Sequence, residues 1–360
     1  MKHLVVGGGL IGLLTAYFLR EAGQQVTVLE KNSLGGESSW AGGGILSPLY
    51  PWRYPDALNR LVAYSQRLYP EIISLLESKT GVEIELQKSG MLVLDQKEST
   101  DALNWSKKFN IAVEIIGETQ RIKDILPTLN DKYVSDKAIW MPEISQLRNP
   151  RLLKALGRFL RDNGVYIREN INVTGLLKDN DLVYGVQSDS SSFFADSVIV
   201  ASGAWSPILL DELAKDAGME PVRGQMIMFN ASPDVMSTMV MLDSHYVIPR
   251  KDGRILAGST LEYVGFDKQT TQTAATDLYQ RAVDIVPALM KYDVEKHWAG
   301  LRPGLPRSIP IVGPHPFLKQ LFINTGHFRN GVVTAPGSAK ALSDHILDKK
   351  STLDVSDYTF

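Results

Sequence analysis

The sequence predicts an α/β protein of two domains, the first interrupted in sequence by the second. Three observations carry that prediction. A strand–turn–helix–strand pattern fills residues 1–30. An apolar strand running into a small-residue turn and then a helix recurs at Val198-Ile-Val-Ala-Ser-Gly-Ala-Trp-Ser206. Around these lie segments with the two-residue alternation of antiparallel strands, as at 245–250 and 254–259. At 360 residues the chain is also long for one compact core, so two domains are the default.

In chain order, the apolar run 3–6 reads as a buried strand that breaks into Gly7-x-Gly9-x-x-Gly12. A small-residue helix is expected over 10–22, stopped by Gly23, with a second strand at 25–29 and Glu30 at its tip. Each glycine has a physical task in holding a dinucleotide. Gly7 permits the turn, Gly9 lets backbone N–H groups approach a pyrophosphate, and Gly12 lets helix and strand pack closely. The helix N-terminus supplies partial positive charge, and Glu30 accepts hydrogen bonds from a ribose diol. The run 34–46 is too glycine-dense for a stable helix. Flexible linker and packed ligand loop are both open, and Trp40, Ile45 and Leu46 favour the loop. The segment 48–55, rich in proline and aromatics, is expected to line an entrance, meet a partner or cover a core edge.

Helical spacing covers 56–80, with Pro70 expected to break or kink it. A strand is expected at 90–94, short helices at 99–109 and 119–126, and a strand at 111–116. Asn149 reads as an N-cap before Pro150, opening a helix that ends at Asn163-Gly164. Strands follow at 172–177, 182–187 and 193–200, after which the dinucleotide domain resumes. Strands are expected at 225–229, 245–250 and 254–259, the last two joined by the Lys251-Asp-Gly253 hairpin. A helix is expected at 270–290, strands at 309–312 and 321–324, and a final helix at 332–347.

Lys plus Arg total 38 and Asp plus Glu 40, a formal charge of −2, which gives no electrostatic case for nucleic acid. The chain has no cysteine, which excludes disulfides, thiolate metal sites, a cysteine nucleophile and a cysteinyl cofactor link. The six histidines show no metal-ligand spacing, so no metal is expected. No apolar stretch approaches the ~20 residues of a membrane helix, and the expectation is a cytoplasmic protein.

Taken together, Val5-Val-Gly-Gly-Gly-Leu-Ile-Gly12, Val200-Ala-Ser-Gly-Ala-Trp-Ser206, Tyr246-Val-Ile-Pro-Arg250, Trp298-Ala-Gly-Leu-Arg-Pro-Gly304 and Gly326-His-Phe-Arg-Asn-Gly331 carry a resemblance. The chain resembles the glycine oxidase and D-amino-acid oxidase family of FAD flavoproteins over nearly its whole length. The resemblance implies a Rossmann-like FAD-binding domain (1–47, 145–220 and 296–360). Inserted in it is an α+β substrate domain (48–144 and 221–295) on a mixed, largely antiparallel sheet. Carried over by position, the cofactor set is Gly7, Gly9, Leu10, Ile11, Gly12, Glu30, Lys31, Ser38, Ser39, Gly43, Gly44, Ile45, Val173 and Gly203, with His327, Phe328, Arg329, Asn330, Gly331, Val332 and Val333. FAD is expected to be non-covalent, because Ala41 follows Trp40 and cysteine is absent.

Substrate contacts carry over onto Arg302 and Tyr246, with Arg329 nearby. A carboxylate suits the guanidinium fork, which gives two parallel charge-assisted bonds, and a tyrosine hydroxyl can donate a third. The implied reaction is hydride transfer from an amino-acid α-carbon to FAD, with the imine hydrolysing to a keto acid and ammonia. The implied substrates are glycine, sarcosine or small D-amino acids, and oxygen as acceptor gives hydrogen peroxide. Family members supply an imine for thiamine biosynthesis. A dehydrogenase passing electrons to a quinone is the alternative, motivated by the aromatic segment 48–55, with a peripheral membrane contact left open. A flavin scaffold without turnover and an NAD enzyme are further alternatives, and a homo-oligomer is left open. Leu261, Ser47 and segment 48–55 depart from the family pattern near the expected entrance and point toward a bulkier or N-substituted amino acid.

Overall fold

A computed structural model describes residues 1–134 and 137–360. Its six-stranded sheet has the order Ile311–Pro314, Leu321–Thr325, Ser197–Val200, Lys2–Val6, Gln25–Leu29, Tyr166–Arg168. All neighbours pair in parallel except the first two, which are antiparallel. The central strands are apolar on both faces because both faces are covered. On one side Leu13, Leu14, Leu61, Leu156 and Leu342 bring together the helices Leu10–Glu21, Asp56–Thr80, Asn149–Asp162 and Gly331–Ile346. On the other, Leu4, Val198 and Ile323 pack with Val183 and Val186 of a three-stranded sheet and Leu210 of a helix. Because the strands are parallel, Gly7, Glu30, Ala201 and Gly326 all leave the sheet at one edge, its carboxyl end. That edge is where open α/β sheets bind ligands.

The second large sheet has eight strands, ordered Val294–Gly304, Glu220–Asn230, Arg254–Gly258, His245–Pro249, Met239–Leu242, Met91–Val93, Ala138–Met141, Glu114–Ile116. Only the pair Met239–Leu242 and Met91–Val93 is parallel, so the sheet is mixed and largely antiparallel, as expected. Alternation splits its faces: Val247 and Ala257 join a core with the helix Gln272–Ile285, whereas Tyr246, Ile248 and Met226 face the opposite way. The strand Val294–Gly304 pairs along its length with Glu220–Asn230. The expected boundary at 295/296 therefore falls inside one strand of this sheet.

Several expectations need correction. The helix Asp56–Thr80 runs unbroken through Pro70, its buried face (Leu61, Tyr69, Ile73, Leu76) continuing on both sides. The strand read at 193–200 is two, because Ser192–Phe194 pairs in the three-stranded sheet and Ser197–Val200 in the six-stranded one. The helix read to 290 stops at Ile285, and Pro287 opens a 3-10 turn instead. Met239–Leu242 and Ala138–Met141 carry too few residues for alternation to reveal them. Segment 48–55 covers a core edge, one of its three expected roles: Tyr50 is buried there, with Leu49 and Trp52 packed against the same cluster. The Tyr50 hydroxyl donates to Asp95 at 2.6 Å, Trp52 Nε1 to Glu98 at 2.6 Å, and Arg53 pairs with the same Glu98 at 2.7 Å.

Candidate active site

At the sheet edge Gly7 has φ +113°, and a Cβ there would lie 2.4 Å from the Ala201 carbonyl oxygen. A Cβ on Gly12 would lie 1.9 Å from the Gly7 oxygen, so helix and strand touch at backbone distance. The first helical N–H, of Leu10, donates to Ser39 Oγ at 2.9 Å. Glu30 is buried, and its two carboxylate oxygens accept from Gly8 N (2.7 Å) and Asn32 N (2.9 Å). Burial pushes its carboxyl above the ordinary value, against the pull of those two donors.

The glycine-rich run is a packed loop, and its one helical turn, Ser38–Ala41, is held by contacts rather than propensity. Asn149 Nδ2 donates to the carbonyls of Ser39 (3.1 Å) and Gly42 (3.0 Å), and Trp298 Nε1 donates to that of Ala41 (3.0 Å). Arg250 donates to the Gly43 carbonyl at 2.8 Å, and Leu147 N to that of Gly44 at 2.9 Å. Asn149 is thus no N-cap: the helix carries no side-chain cap, and its amide ties down the loop. Arg250 also donates to Gln146 Oε1 (2.6 Å) and the Leu147 carbonyl (3.1 Å), and burial lowers its guanidinium to about 10.

One long cavity runs from this edge to the eight-stranded sheet. Its wall includes Gly7, Gly9, Leu10, Ile11, Glu30, Lys31, Ser38, Ser39, Gly43, Gly44, Ile45, Val173 and Gly203. His327, Phe328, Gly331 and Val332 also line it, and so do Tyr246, Arg302 and Arg329. Of the expected set, Gly12, Asn330 and Val333 stand off the wall. Gly12 packs on Gly7, the Asn330 carbonyl accepts from Thr334 Oγ1 at 2.7 Å, and Val333 is a core residue.

At the far end Arg302 is held by Ser259 Oγ (2.8 Å) and the Thr260 carbonyl (3.2 Å). The slot exists because residue 224 has no side chain. A Cβ on Gly224 would lie 2.1 Å from both terminal nitrogens of Arg302. Burial pulls the Arg302 guanidinium below its ordinary value; Tyr246 opposes that shift and Arg329 adds to it. Tyr246 is buried, with its hydroxyl 3.8 Å from Met226 Sδ. His327 is buried between Thr334 Oγ1 and Asn324 Oδ1, each at 2.8 Å, and burial lowers it to about 3, so the ring is neutral. Asn324 Nδ2 is buried on the cavity wall without a protein partner.

Sequence reasoning missed Gly224, Ser259, Asn324 and the loop-holding roles of Asn149 and Arg250. A glycine inside a strand, flanked by Arg223 and Gln225, is a signal of close approach and could have found Gly224. Nothing local marks Ser259 or Asn324, whose roles arise from strand register.

The donors on the wall suit a long anionic dinucleotide. The cradle admits no side chain at Gly7 and leaves only a tight space at Gly9, Glu30 sits at the second strand's tip, and Asn324, on the wall, carries a buried amide nitrogen without a protein partner. The family model described as FAD dependent oxidoreductase (DAO) matches residues 2–345. The chain is 41% identical over 356 residues to glycine oxidase of Pseudomonas putida, covering 99% of this chain and 97% of that protein. It is 31% identical to the bifunctional protein ThiO/ThiG of Trichormus variabilis, over 97% of this chain and 53% of that one. The fold superposes on glycine oxidase from Bacillus cereus with TM-score 0.90 and 29% identity, covering 99% and 97% of the two chains. It superposes on L-proline dehydrogenase from P. horikoshii with TM-score 0.88, at 22% identity and 99% and 96% coverage. No helix among the described residues is long and apolar enough to cross a membrane.

Proposed function

The chain belongs to the DAO family of FAD-dependent oxidoreductases, and from that premise we propose that it oxidises glycine, sarcosine or small D-amino acids with oxygen as acceptor. The observation that carries the reading is Arg302. Its guanidinium stands at the end of the cavity in a slot that only Gly224 leaves open, and its partners, Ser259 Oγ and the Thr260 carbonyl, carry no charge. A cation so placed is costly unless a ligand brings the counter-charge. A carboxylate does so, with two parallel hydrogen bonds.

Gly7, Gly9, Leu10, Glu30, the Ser38–Gly44 loop and the turn 327–332 would hold FAD, which when bound supplies the two-electron acceptor for the substrate hydride. The chain's own residues position and shield. Arg302 fixes the acid group, and Tyr246, which lines the same cavity, donates to its oxygens. Asn149, Trp298 and Arg250 keep the loop rigid beneath them. Among the described residues lining the substrate end there is no carboxylate to take a proton, and His327 is neutral with both ring nitrogens occupied.

Anaerobic mixing of the yellow holoenzyme with glycine, sarcosine and D-alanine tests the reading. Loss of flavin absorbance with at least one, and peroxide on readmitting air, is expected. A flavin that none of them bleaches contradicts it, and bleaching without peroxide replaces oxygen by another acceptor. Oxygen is preferred to a membrane-side quinone because Tyr50 of segment 48–55 is buried and Trp52 half-buried, each hydrogen-bonded to an acid.

A further inference from the structure

On the sheet face away from Arg302 lies a cluster of polar side chains that the reaction itself does not use. Side chains alternate along a strand, so Gly224 opens toward Arg302 while Arg223 and Gln225, both buried, turn to the opposite face. There the chain beyond Arg254–Gly258 folds back on them, and Glu262 exchanges two backbone hydrogen bonds with Arg223, at 2.9 and 3.0 Å. The Glu262 carboxylate gathers four donors. Its Oε2 accepts from Arg223 Nη2 (2.5 Å) and Nε (3.1 Å), and its Oε1 from Gln225 Nε2 (2.9 Å) and the Thr260 hydroxyl. Arg223 is fixed in turn by Asp267 (2.7 Å) and the Gln269 carbonyl (2.9 Å), and Gln225 by Thr271 N (2.9 Å). Thr260 joins this cluster to the cavity. Its hydroxyl accepts from Gln225 N at 2.9 Å and donates to Glu262, while its carbonyl accepts from Arg302 at 3.2 Å.

We propose that Glu262 is a positioning residue for substrate capture: through Thr260 it sets the place and angle of the Arg302 fork. The inference rests on the reading of Arg302 given above. Arg223, Gln225, Thr260 and Glu262 all stand off the cavity wall, so they act on a ligand only through Arg302. An ionised carboxylate is acceptor-only, with about four lone-pair sites, and here each site has its donor. A glutamine would turn an NH2 group against either Arg223 or Gln225, and an aspartate falls one methylene short. Burial raises the Glu262 carboxyl, but the bonds from Thr260, Arg223 and Gln225 outweigh it and hold the group below its ordinary value, so it stays ionised. Hydrogen bonds weaken steeply off their axis. A guanidinium turned from its line therefore loses one of its two bonds to a carboxylate, while the cofactor contacts at the other end of the cavity stay intact.

The test uses holoenzyme and two ligands: acetate, read as a shift of the flavin spectrum, and sarcosine, read as anaerobic bleaching. Thr260→Val and Glu262→Gln should each weaken acetate binding about 10-fold and raise the sarcosine half-saturation by a similar factor, with the limiting bleaching rate within about twofold of wild type. Thr260→Ser keeps the hydroxyl and should bind acetate as the wild type does. A group that only stabilises the fold would lower Tm and the yield of yellow protein, yet leave both constants unchanged in the flavin-loaded fraction. That result in Thr260→Val overturns the proposal, and so does equal weakening by Thr260→Ser. Thr260→Val leaves Glu262 its other three donors, so it decides the matter even where Glu262→Gln fails to fold. Acetate binding without bleaching by any amine overturns the oxidase reading, and the acetate series still decides this inference. A wild type that binds no acetate overturns both.

Discussion

The two ends of the cavity are built by different means. The end on the six-stranded sheet is made mainly of backbone: glycines 7 and 9, a helix start, and loop carbonyls fixed by Asn149, Trp298 and Arg250. The end on the eight-stranded sheet is made of side chains from strands far apart in sequence, Gly224 leaving the space into which Arg302 projects. One end fails by backbone strain and the other by a misplaced charge, so substitutions should separate cofactor binding from substrate binding.

The largest expected effect is at Gly224. Its Cβ would overlap the Arg302 guanidinium, and displacing a buried charged contact costs about 2–5 kcal/mol. Gly224→Ala should therefore weaken substrate binding by ~30-fold or more, read as the half-saturation for flavin bleaching, while FAD affinity holds. At the other end, Gly7→Ala combines a positive φ with a Cβ 2.4 Å from a carbonyl oxygen. Backbone strain of about 1–3 kcal/mol should appear as weaker FAD binding and a lower Tm. If Gly224→Ala released FAD, or Gly7→Ala raised the substrate constant without touching FAD, the division between the ends would fail.

Arg250→Met should come next. It leaves the Gly43 and Leu147 carbonyls without their donor, at about 1–3 kcal/mol for an unmade buried bond. The expected readout is a several-fold faster FAD loss in dilution.

The last effect concerns pH and shows only in acid. His327 is depressed from 6.5 to about 3 by burial, so below pH 6.5 the unfolded chain binds a proton that the folded chain refuses. Stability from this group is whole above about 6.5 and falls as pH drops toward 3, at up to ~1.4 kcal/mol per pH unit. His327→Gln should flatten the fall in Tm across that window, and an unchanged slope would show that other groups set the acid limit.

The same contrast explains what the sequence made legible. The strand–turn–helix at 2–21 and the hairpin at Gly253 depend on neighbours a few residues away, and they read directly. The helix at 149–162 read directly too, but the role of Asn149 did not, because the side chain that looked like a cap is turned to a loop over a hundred residues earlier. Tyr246 reads as a core residue by alternation, and it is buried; only its facing across the sheet puts it on the cavity wall. Ser259 and Gly224 meet Arg302 through the pairing of Glu220–Asn230 with both Arg254–Gly258 and Val294–Gly304. No local pattern encodes that register. Resemblance supplied Arg302 and Arg329, but not the glycine that makes room for one of them.

The central claim is that Arg302 captures the acid group of an amine lying against the cofactor. The most direct measurement compares sarcosine with its uncharged amide in anaerobic flavin bleaching, for the wild-type holoenzyme and for Arg302→Met. The account predicts a strong wild-type preference for the acid that the substitution abolishes. An equal preference in both proteins would contradict it.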